Sequence, residues 1–284
     1  MHPVLFTVGG FAMESWTALV AVAFVIGIVL GIREARRDGF LVADLLELAF
    51  VVVLSALLGS KLFHVLFEAR GHKLQDGTVA RGVLDLLRDD PWHWARLLDA
   101  GAVFYGGVLA AVAAGLFFCW RRKLAPAFAL ADAAVPGILL GIVLGRFGCL
   151  LGGCCYGAAT AVPWAIHFPT SHETQGALVH PTQLYDMAFG AGGLLTWGLL
   201  RRRRRFAGEV FVLALLAYAP WRFLSELFRG DADRGLWGVD QRLSTSQVIS
   251  IIVFGSCLIL WRLGHLGHLG RLGHLGHLGH KGGS

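Results

Sequence analysis

Seven long apolar runs constrain the fold of this chain more than any other feature. Each run is long enough to cross the roughly 30 Å hydrocarbon core of a bilayer as a helix. Hydrophobic residues make up 56% of the 284 residues and charged residues only 15%, which excludes an ordinary soluble domain. We therefore predict an all-α fold, a polytopic membrane bundle of seven transmembrane helices within residues 1–261. The predicted spans are Ser15–Ile32, Ala43–Phe67, Ala102–Trp120, Phe128–Leu151, Pro181–Leu200, Ala207–Phe228 and Ser244–Trp261.

The basic residues predict how the bundle is oriented. They follow the first, third, fifth and seventh runs, and the fifth run ends in the unbroken series Arg201–Arg205. Because basic loops stay in the cytoplasm, this alternation predicts an N-out, C-in protein. The N-terminal residues lack the basic start of a secretory signal, so we expect the first run to be retained. Topogenic loops also explain the net charge of +6, and no nucleic-acid partner is predicted.

Two segments lie outside this pattern. The outer loop Ala69–Ala100 is mixed in charge, and its Trp92-His93-Trp94 sequence is typical of a short interfacial helix. Residues 262–284 form a low-complexity Leu-Gly-His tail, which is predicted to be a disordered cytoplasmic segment. Its histidines leave metal binding open as an alternative.

The stretch Gly137–Gly157 combines small residues, a cation and thiols. Its sequence is GILLGIVLGRFGCLLGGCCYG, with glycines at 137, 141 and 145 on one helix face. Such a ridge lets another helix approach closely in a membrane. Arg146 follows the ridge, and an arginine in an apolar run is costly and usually functional. The alternative is an arginine that extends to the lipid headgroups, with Cys149, Cys154 and Cys155 as small packing residues or a disulfide.

Polar side chains from distant runs fall near the same predicted outer face. In the sixth run the spacings of Tyr218, Arg222, Glu226 and Arg229 place them on one helix face. Arg222 and Glu226 can pair, but Lys61, Arg146 and Arg229 add cations in excess of the obvious acids. This excess favours binding of a lipid phosphate. A structural ion-pair network that holds the bundle together is the alternative. The other members of this outer-face set are Lys61, His64, Tyr105, Arg146, His180 and Gln183.

The order of short motifs along the chain resembles the prolipoprotein diacylglyceryl transferase family. The motifs are HPVLFTVGGF at His2, GSKLFHVLFE at Gly59, VFYGGVLA at Val103, GRFGCLLGGCCYG at Gly145, AVPWAIHFP at Ala161, HPTQLYD at His180, RFLSELFR at Arg222 and SQVIS at Ser246. The resemblance covers nearly all of the chain to Trp261.

The resemblance implies an enzyme of lipoprotein biogenesis in the bacterial inner membrane. Such an enzyme transfers diacylglycerol from phosphatidylglycerol to the lipobox cysteine of a prolipoprotein, and glycerol phosphate leaves. The implied partners are phosphatidylglycerol, lipobox-containing prolipoproteins and the bilayer, with no cofactor and no metal. The implied catalytic residues are Arg146, Arg222, Tyr105 and Glu226. The implied substrate-binding residues are Arg146, Arg222, Arg229, Lys61, Gly106 and Gly107.

Five positions depart from the family pattern. Tyr105 replaces the family histidine, and Cys149 and Cys154 replace a signature asparagine and glutamate. Thr17 replaces a tyrosine and Lys61 an arginine. Two further hypotheses therefore stay open: a divergent paralogue that binds an anionic lipid with altered or no transferase activity, and a thiol- or metal-linked membrane protein. A transporter is disfavoured because no repeated half is visible.

Overall fold

The computed structural model describes residues 2–9, 11–67, 104–124, 126–229, 236–237 and 243–266. Within these ranges the chain forms seven long helices: α1 Ser15–Arg37, α2 Val42–Phe67, α3 Phe104–Arg121, α4 Ala127–Gly152, α5 Thr182–Arg203, α6 Glu209–Ser225 and α7 Thr245–His265. A 3-10 turn, Glu226–Phe228, extends α6. Three antiparallel two-stranded hairpins join β1 Val4–Val8 with β2 Phe11–Glu14, β3 Ile166–His167 with β4 Leu178–Val179, and β5 Leu236–Trp237 with β6 Leu243–Ser244.

Each predicted apolar run coincides with one of the long helices. In the described part of the chain, five of them are long and apolar enough to cross a membrane: α1, α2, α4, α6 with its 3-10 extension, and α7. The fold is therefore that of a helical membrane protein, as the sequence predicted.

The chain divides into two compact units. The first unit comprises residues 1–39 and 128–284, and contains α1, α4, α5, α6 and α7. In it, α1 and α4 approach at two glycines, since a Cβ on Gly137 would lie 2.9 Å from the Gly27 Cα. The predicted ridge is only partly right, because a Cβ on Gly141 or Gly145 would meet nothing within 4 Å. The same two helices also approach closely at Gly148, where an added Cβ would lie 2.9 Å from the Trp16 Cα.

The first unit is held at one end by buried charges. Asp132 on α4 is fully buried, and its carboxylate accepts from the backbone N–H groups of Gly208 at 2.8 Å and Phe211 at 2.9 Å. Because these donors lie at the start of α6, Asp132 caps that helix from another element.

Two arginines of the basic run belong to the same network. Arg204 pairs with Asp132 at 3.3 Å and with Asp38 at 2.5 Å. Arg201, which is 10% exposed, pairs with Asp38 at 2.6 Å and with Glu34 at 3.7 Å. A purely topogenic interpretation of the run is therefore too narrow, because these ion pairs join the ends of α1, α4 and α5.

The second unit comprises residues 40–127 and contains α2 and α3. These antiparallel helices pack at glycines, since a Cβ on Gly106 would lie 2.3 Å from the Phe63 Cβ and 2.8 Å from the Gly59 carbonyl oxygen. Near the other end of the pair, Arg122 forms an ion pair with Glu47. Close glycine contact explains why the two helices can lie side by side.

Two predicted segments lie partly or wholly outside the described residues. The interfacial helix at Trp92–Trp94 lies outside them, as do residues 267–284 of the predicted tail. The seventh helix extends beyond the predicted span end at Trp261, because α7 continues to His265. The ring Nδ1 of His265 lies 3.0 Å from the Trp261 carbonyl oxygen, and its Nε2 lies 3.7 Å from the Glu209 carboxylate.

Candidate functional site

Arg146 lies in the last two turns of α4 and forms a buried ion pair with α5. Its Nε lies 2.9 Å from Oδ2 of Asp186, whose side chain is 9% exposed. The Trp221 indole on α6 donates to the other carboxylate oxygen at 2.8 Å. Asp186 therefore joins three helices and fixes the orientation of the guanidinium.

Sequence reasoning missed Asp186. The residue ends the HPTQLYD motif, so its place one turn into α5 was a usable signal. Asp186 contacts Nε of Arg146. Within the part of the chain that the structure describes, the two terminal nitrogens of Arg146 form no ion pair or side-chain hydrogen bond. Such a planar fork suits bidentate contact with a phosphate.

Arg222 is held on α6 by its own turn and by α7. It pairs with Glu226 at 2.5 Å, as the spacing predicted, and Glu226 is buried. It also donates to the hydroxyls of Ser225 at 3.0 Å and Ser246 at 2.9 Å. The contact with Ser246 was not indicated by the sequence, and it joins Arg222 to the first turn of α7.

Arg229 does not share the helix face predicted for it. The helix ends at Ser225, the 3-10 turn covers Glu226–Phe228, and Arg229 has an extended backbone with φ −77° and ψ 141°. It pairs across an isolated β-bridge with Gly157, which follows the cysteines. The residue is therefore brought beside the end of α4 by strand-like pairing rather than by helical spacing.

The surroundings of Arg146 and Arg222 meet on α6. Tyr218, one turn before Arg222 on α6, contacts Phe189 of α5, with ring centroids 5.9 Å apart. Trp221 holds the carboxylate that pairs with Arg146, and it stacks on Phe189 of α5 with centroids 5.4 Å apart. The predicted convergence of these two arginines at one end of the unit is thus supported by the contacts between α4, α5 and α6.

The three cysteines beside this end are free thiols whose sulfur atoms all lie within 4.8 Å of one another. Hydrogen bonds from the Cys149 and Cys154 thiols lower the pKa of Cys155, and the positive charges of Arg146 and Arg229 lower it further. The pKa of Cys154 is raised, since hydrogen bonding to Cys155 and burial outweigh the opposing bond from Cys149. The predicted disulfide is not formed, and Cys155 is the thiol most easily ionised outside the helices.

The other catalytic and substrate-binding residues implied by the resemblance lie in the second unit. Lys61 and Tyr105 lie toward the same end of the α2–α3 pair, and Tyr105 is 41% exposed. Gly106 and Gly107 have a packing reason to be small, because a Cβ on Gly107 would lie 3.0 Å from the Ala56 carbonyl oxygen. Their role in substrate binding stays a prediction.

Comparison with known proteins identifies the family. A sequence model described as prolipoprotein diacylglyceryl transferase matches residues 3–263. The chain belongs to this family. A phosphatidylglycerol--prolipoprotein diacylglyceryl transferase of Photobacterium profundum is 32% identical over 268 residues, which cover 92% of this chain and 93% of the relative. Relatives with the same name occur in Clostridium tetani, at 29% identity over 88% of this chain and 93% of the relative, and in Bordetella bronchiseptica, at 31% over 92% and 95%.

Family membership gives the structural site a chemical context. The match spans every helix described above, including both units, so the arginines of α4 and α6 belong to the matched region. The family resemblance inferred from the motifs is confirmed, and the chain is a transferase of lipoprotein biogenesis.

Proposed function

We propose that this chain transfers the diacylglyceryl group of phosphatidylglycerol to the lipobox cysteine of a prolipoprotein. The family match over residues 3–263 supports the reaction class. Arg146 is the single structural observation that carries the proposal. Its guanidinium is oriented by Asp186 through Nε, which leaves the terminal nitrogens for bidentate contact with a phosphate.

The reaction is a substitution at the glyceryl carbon that carries the phosphate. The client sulfur attacks this carbon, a carbon–sulfur bond forms, and the carbon–oxygen bond to phosphate breaks. Glycerol phosphate leaves with the bonding electron pair, and the thiol proton is released. Because the thiolate is the competent nucleophile, the enzyme must favour loss of that proton and stabilise the departing phosphate.

Arg146 and Arg222 are proposed to hold the phosphate from two helices. Asp186 fixes the first guanidinium, and Glu226 with Ser246 fixes the second. Preorganised donors of this kind stabilise charge that develops on a leaving group, and a dry membrane site strengthens them. Arg229 beside Gly157 and Lys61 on α2 are proposed as weaker substrate contacts.

Proton handling is proposed for Tyr105 and Glu226. Tyr105 occupies the position of the family histidine, and a neutral phenol is a weaker base than an imidazole. Glu226 lies 2.5 Å from Arg222, so its first role is to position that cation. Gly106 and Gly107, which let α2 and α3 pack closely, are proposed as backbone contacts of the lipid beside Tyr105.

We further propose seven transmembrane spans in an N-out, C-in arrangement in the bacterial inner membrane. The alternation of basic segments supports this topology, which places Arg146 and Arg222 near the outer face. Reporter fusions should place Ser171 outside and Arg203 inside. The reverse at either position would contradict an outer-face site.

Transfer can be tested with purified protein, phosphatidylglycerol vesicles and a synthetic lipobox peptide. We expect the peptide to gain one diacylglyceryl group by mass, and a peptide with serine in place of cysteine to gain none. Vesicles of phosphatidylethanolamine serve as the lipid control. Binding of phosphatidylglycerol without transfer, by folded protein, would instead favour the divergent paralogue, because Cys149 and Cys154 stand at family signature positions.

A further inference from the structure

The three thiols at the end of α4 are arranged as a group. Cys149 lies in the last turn of the helix, and Cys154 and Cys155 follow in the turn after it. All three sulfur atoms lie within 4.8 Å of one another. Three thiolates bound to one zinc ion at about 2.3 Å lie roughly 4 Å apart, so a small contraction brings the cluster to that geometry.

The backbone of this turn is fixed from several sides. Cys154 donates its N–H to the Cys149 carbonyl at 3.0 Å, which ties the turn to the helix. Side chains in the first turn of α5 donate to the carbonyl oxygens of Cys154 and Cys155. The Gln183 amide donates to that of Cys154 at 2.8 Å, and the Thr182 hydroxyl donates to that of Cys155 at 2.6 Å. Thr182 and Gln183 are themselves buried.

Cys155 also has a backbone conformation that side chains rarely adopt. Its φ is +59°, in the left-handed region, where a residue with a Cβ is strained unless the surroundings hold it. The hydrogen bonds from α5 provide that support. The turn therefore presents the third sulfur toward the other two in a conformation that chain flexibility alone would not favour.

Thiolate sulfur is a soft ligand that selects thiophilic metals. Three protein ligands with a fourth position left for another molecule are the arrangement of catalytic zinc sites. Cys154 is exposed, so an exogenous ligand has access to the cluster. Three thiolates around Zn²⁺ carry one net negative charge, and Arg146 and Arg229 both act electrostatically on Cys155.

We propose that Cys149, Cys154 and Cys155 bind one Zn²⁺ ion, and that the fourth position accepts a thiol of the client. The second part rests on the proposed function. On binding, the client thiol gives up its proton to solvent by way of the groups proposed above for proton handling, and its sulfur becomes a zinc-bound thiolate. That sulfur then forms the new bond to the glyceryl carbon, the phosphate leaves, and the zinc stays on its three protein ligands.

Metal binding is tested first, without phosphatidylglycerol. The detergent-solubilised full chain, reduced and stripped with chelator, is titrated with Zn²⁺ or with Co²⁺, whose thiolate charge-transfer band reports sulfur ligation. We expect one equivalent to bind, and expect Cys154→Ser and Cys149→Ser to weaken binding at least about a hundredfold, since even supporting residues of zinc sites give effects of this size. Cys257→Ser, which alters a buried cysteine of α7, is the matched control and should bind as the parent does.

The fourth position is tested with the cobalt-loaded protein and a lipobox peptide. We expect the cysteine peptide to change the ligand-field spectrum and the serine peptide to leave it unchanged. Zinc that binds equally to Cys154→Ser, binding of copper(I) alone, or a disulfide that persists under reducing conditions would each overturn the zinc site. An unchanged spectrum with the cysteine peptide would overturn the fourth-position assignment. Because no step here needs transfer, a failed transfer assay would count against the proposed function alone.

Discussion

The two ends of the first unit both carry arginines, but they match them with acids to different degrees. At one end, the acids Glu34, Asp38 and Asp132 surround Arg201 and Arg204. At the other end, Arg146 and Arg222 each pair with one acid, Asp186 and Glu226. Arginines that share several acids hold helices together, whereas an arginine held by a single acid suits an anionic ligand.

The difference is also visible in how each acid is used. Both carboxylate oxygens of Asp132 accept hydrogen bonds from the protein, one from the Phe211 N–H and the other from the Gly208 N–H and Arg204. Asp186 contacts Arg146 only through Nε and keeps its other oxygen for Trp221. The first carboxylate completes a structural network, and the second fixes a cation that we propose binds the phosphate.

The largest expected effect is on stability at the end that holds Asp132. Asp132→Ala removes the cap of α6 and leaves the half-buried Arg204 without one of its partners. We expect a loss of about 3 to 5 kcal/mol in unfolding free energy, as for other broken buried ion pairs. Thermal unfolding in detergent measures the change. Glu47→Ala, which breaks the half-exposed pair with Arg122, is the control and should cost about 1 kcal/mol or less.

Asp186→Asn should affect transfer more than stability. The amide can still accept from Trp221, but it no longer attracts the Arg146 guanidinium, so the cation loses its fixed direction. We expect transfer to fall about a hundredfold, since small misplacements of a positioning group have effects of this size. Trp221→Phe keeps the carboxylate charge and should lose less activity than Asp186→Asn. A drop in unfolding temperature as large as that of Asp132→Ala would assign Asp186 to a structural network instead.

The pKa of Cys155 predicts a pH dependence at the end that holds Arg146. Because its pKa is lowered, the thiolate persists as the pH falls below the usual thiol pKa of about 8.5. Alkylation of metal-free protein by iodoacetamide should therefore stay nearly constant at Cys155 between about pH 8 and pH 6, whereas the rate at an ordinary thiol falls about tenfold per pH unit. Peptide mass mapping separates Cys155 from Cys154. Parallel decline at both cysteines would contradict a stabilised Cys155 thiolate.

The smallest effect is expected for Arg229→Ala. The residue follows the 3-10 turn, is partly exposed, and its charge is screened more than that of Arg146. We expect transfer to decrease only about fivefold, corresponding to roughly 1 kcal/mol. Initial rates at several phosphatidylglycerol concentrations would show whether the change is in binding. A loss equal to that of the two helix arginines would place Arg229 among the principal phosphate contacts.

The helices were predictable from the sequence because length and hydropathy define them locally. The run Ala43–Phe67 and the helix Val42–Phe67 differ by one residue. The pair of Arg222 and Glu226 was predictable for the same reason, since helical spacing places them one turn apart. Arg229 was placed wrongly because the helix ends at Ser225, and no sequence spacing marks that change to an extended backbone.

Contacts between helices were not predictable from one sequence. Arg146 and Asp186 are forty residues apart in the chain, and their pairing depends on how α4 packs against α5. The glycine ridge showed the same limit: periodicity identified the face, but only Gly137 of the three meets α1 closely. The ion pairs of Arg201 and Arg204 likewise depend on where three helices end.

The central claim is that Arg146 and Arg222 bind the phosphate that leaves with glycerol. The most direct measurement compares transfer from phosphatidylglycerol to a lipobox peptide by the parent, Arg146→Lys and Arg222→Lys at matched thermal stability. Lysine keeps the charge but lacks the planar fork, so we predict that each variant loses about a hundredfold in rate, or roughly 3 kcal/mol of transition-state stabilisation. Near-normal turnover by both variants would contradict the phosphate clamp and leave a structural ion-pair network as the role of these arginines.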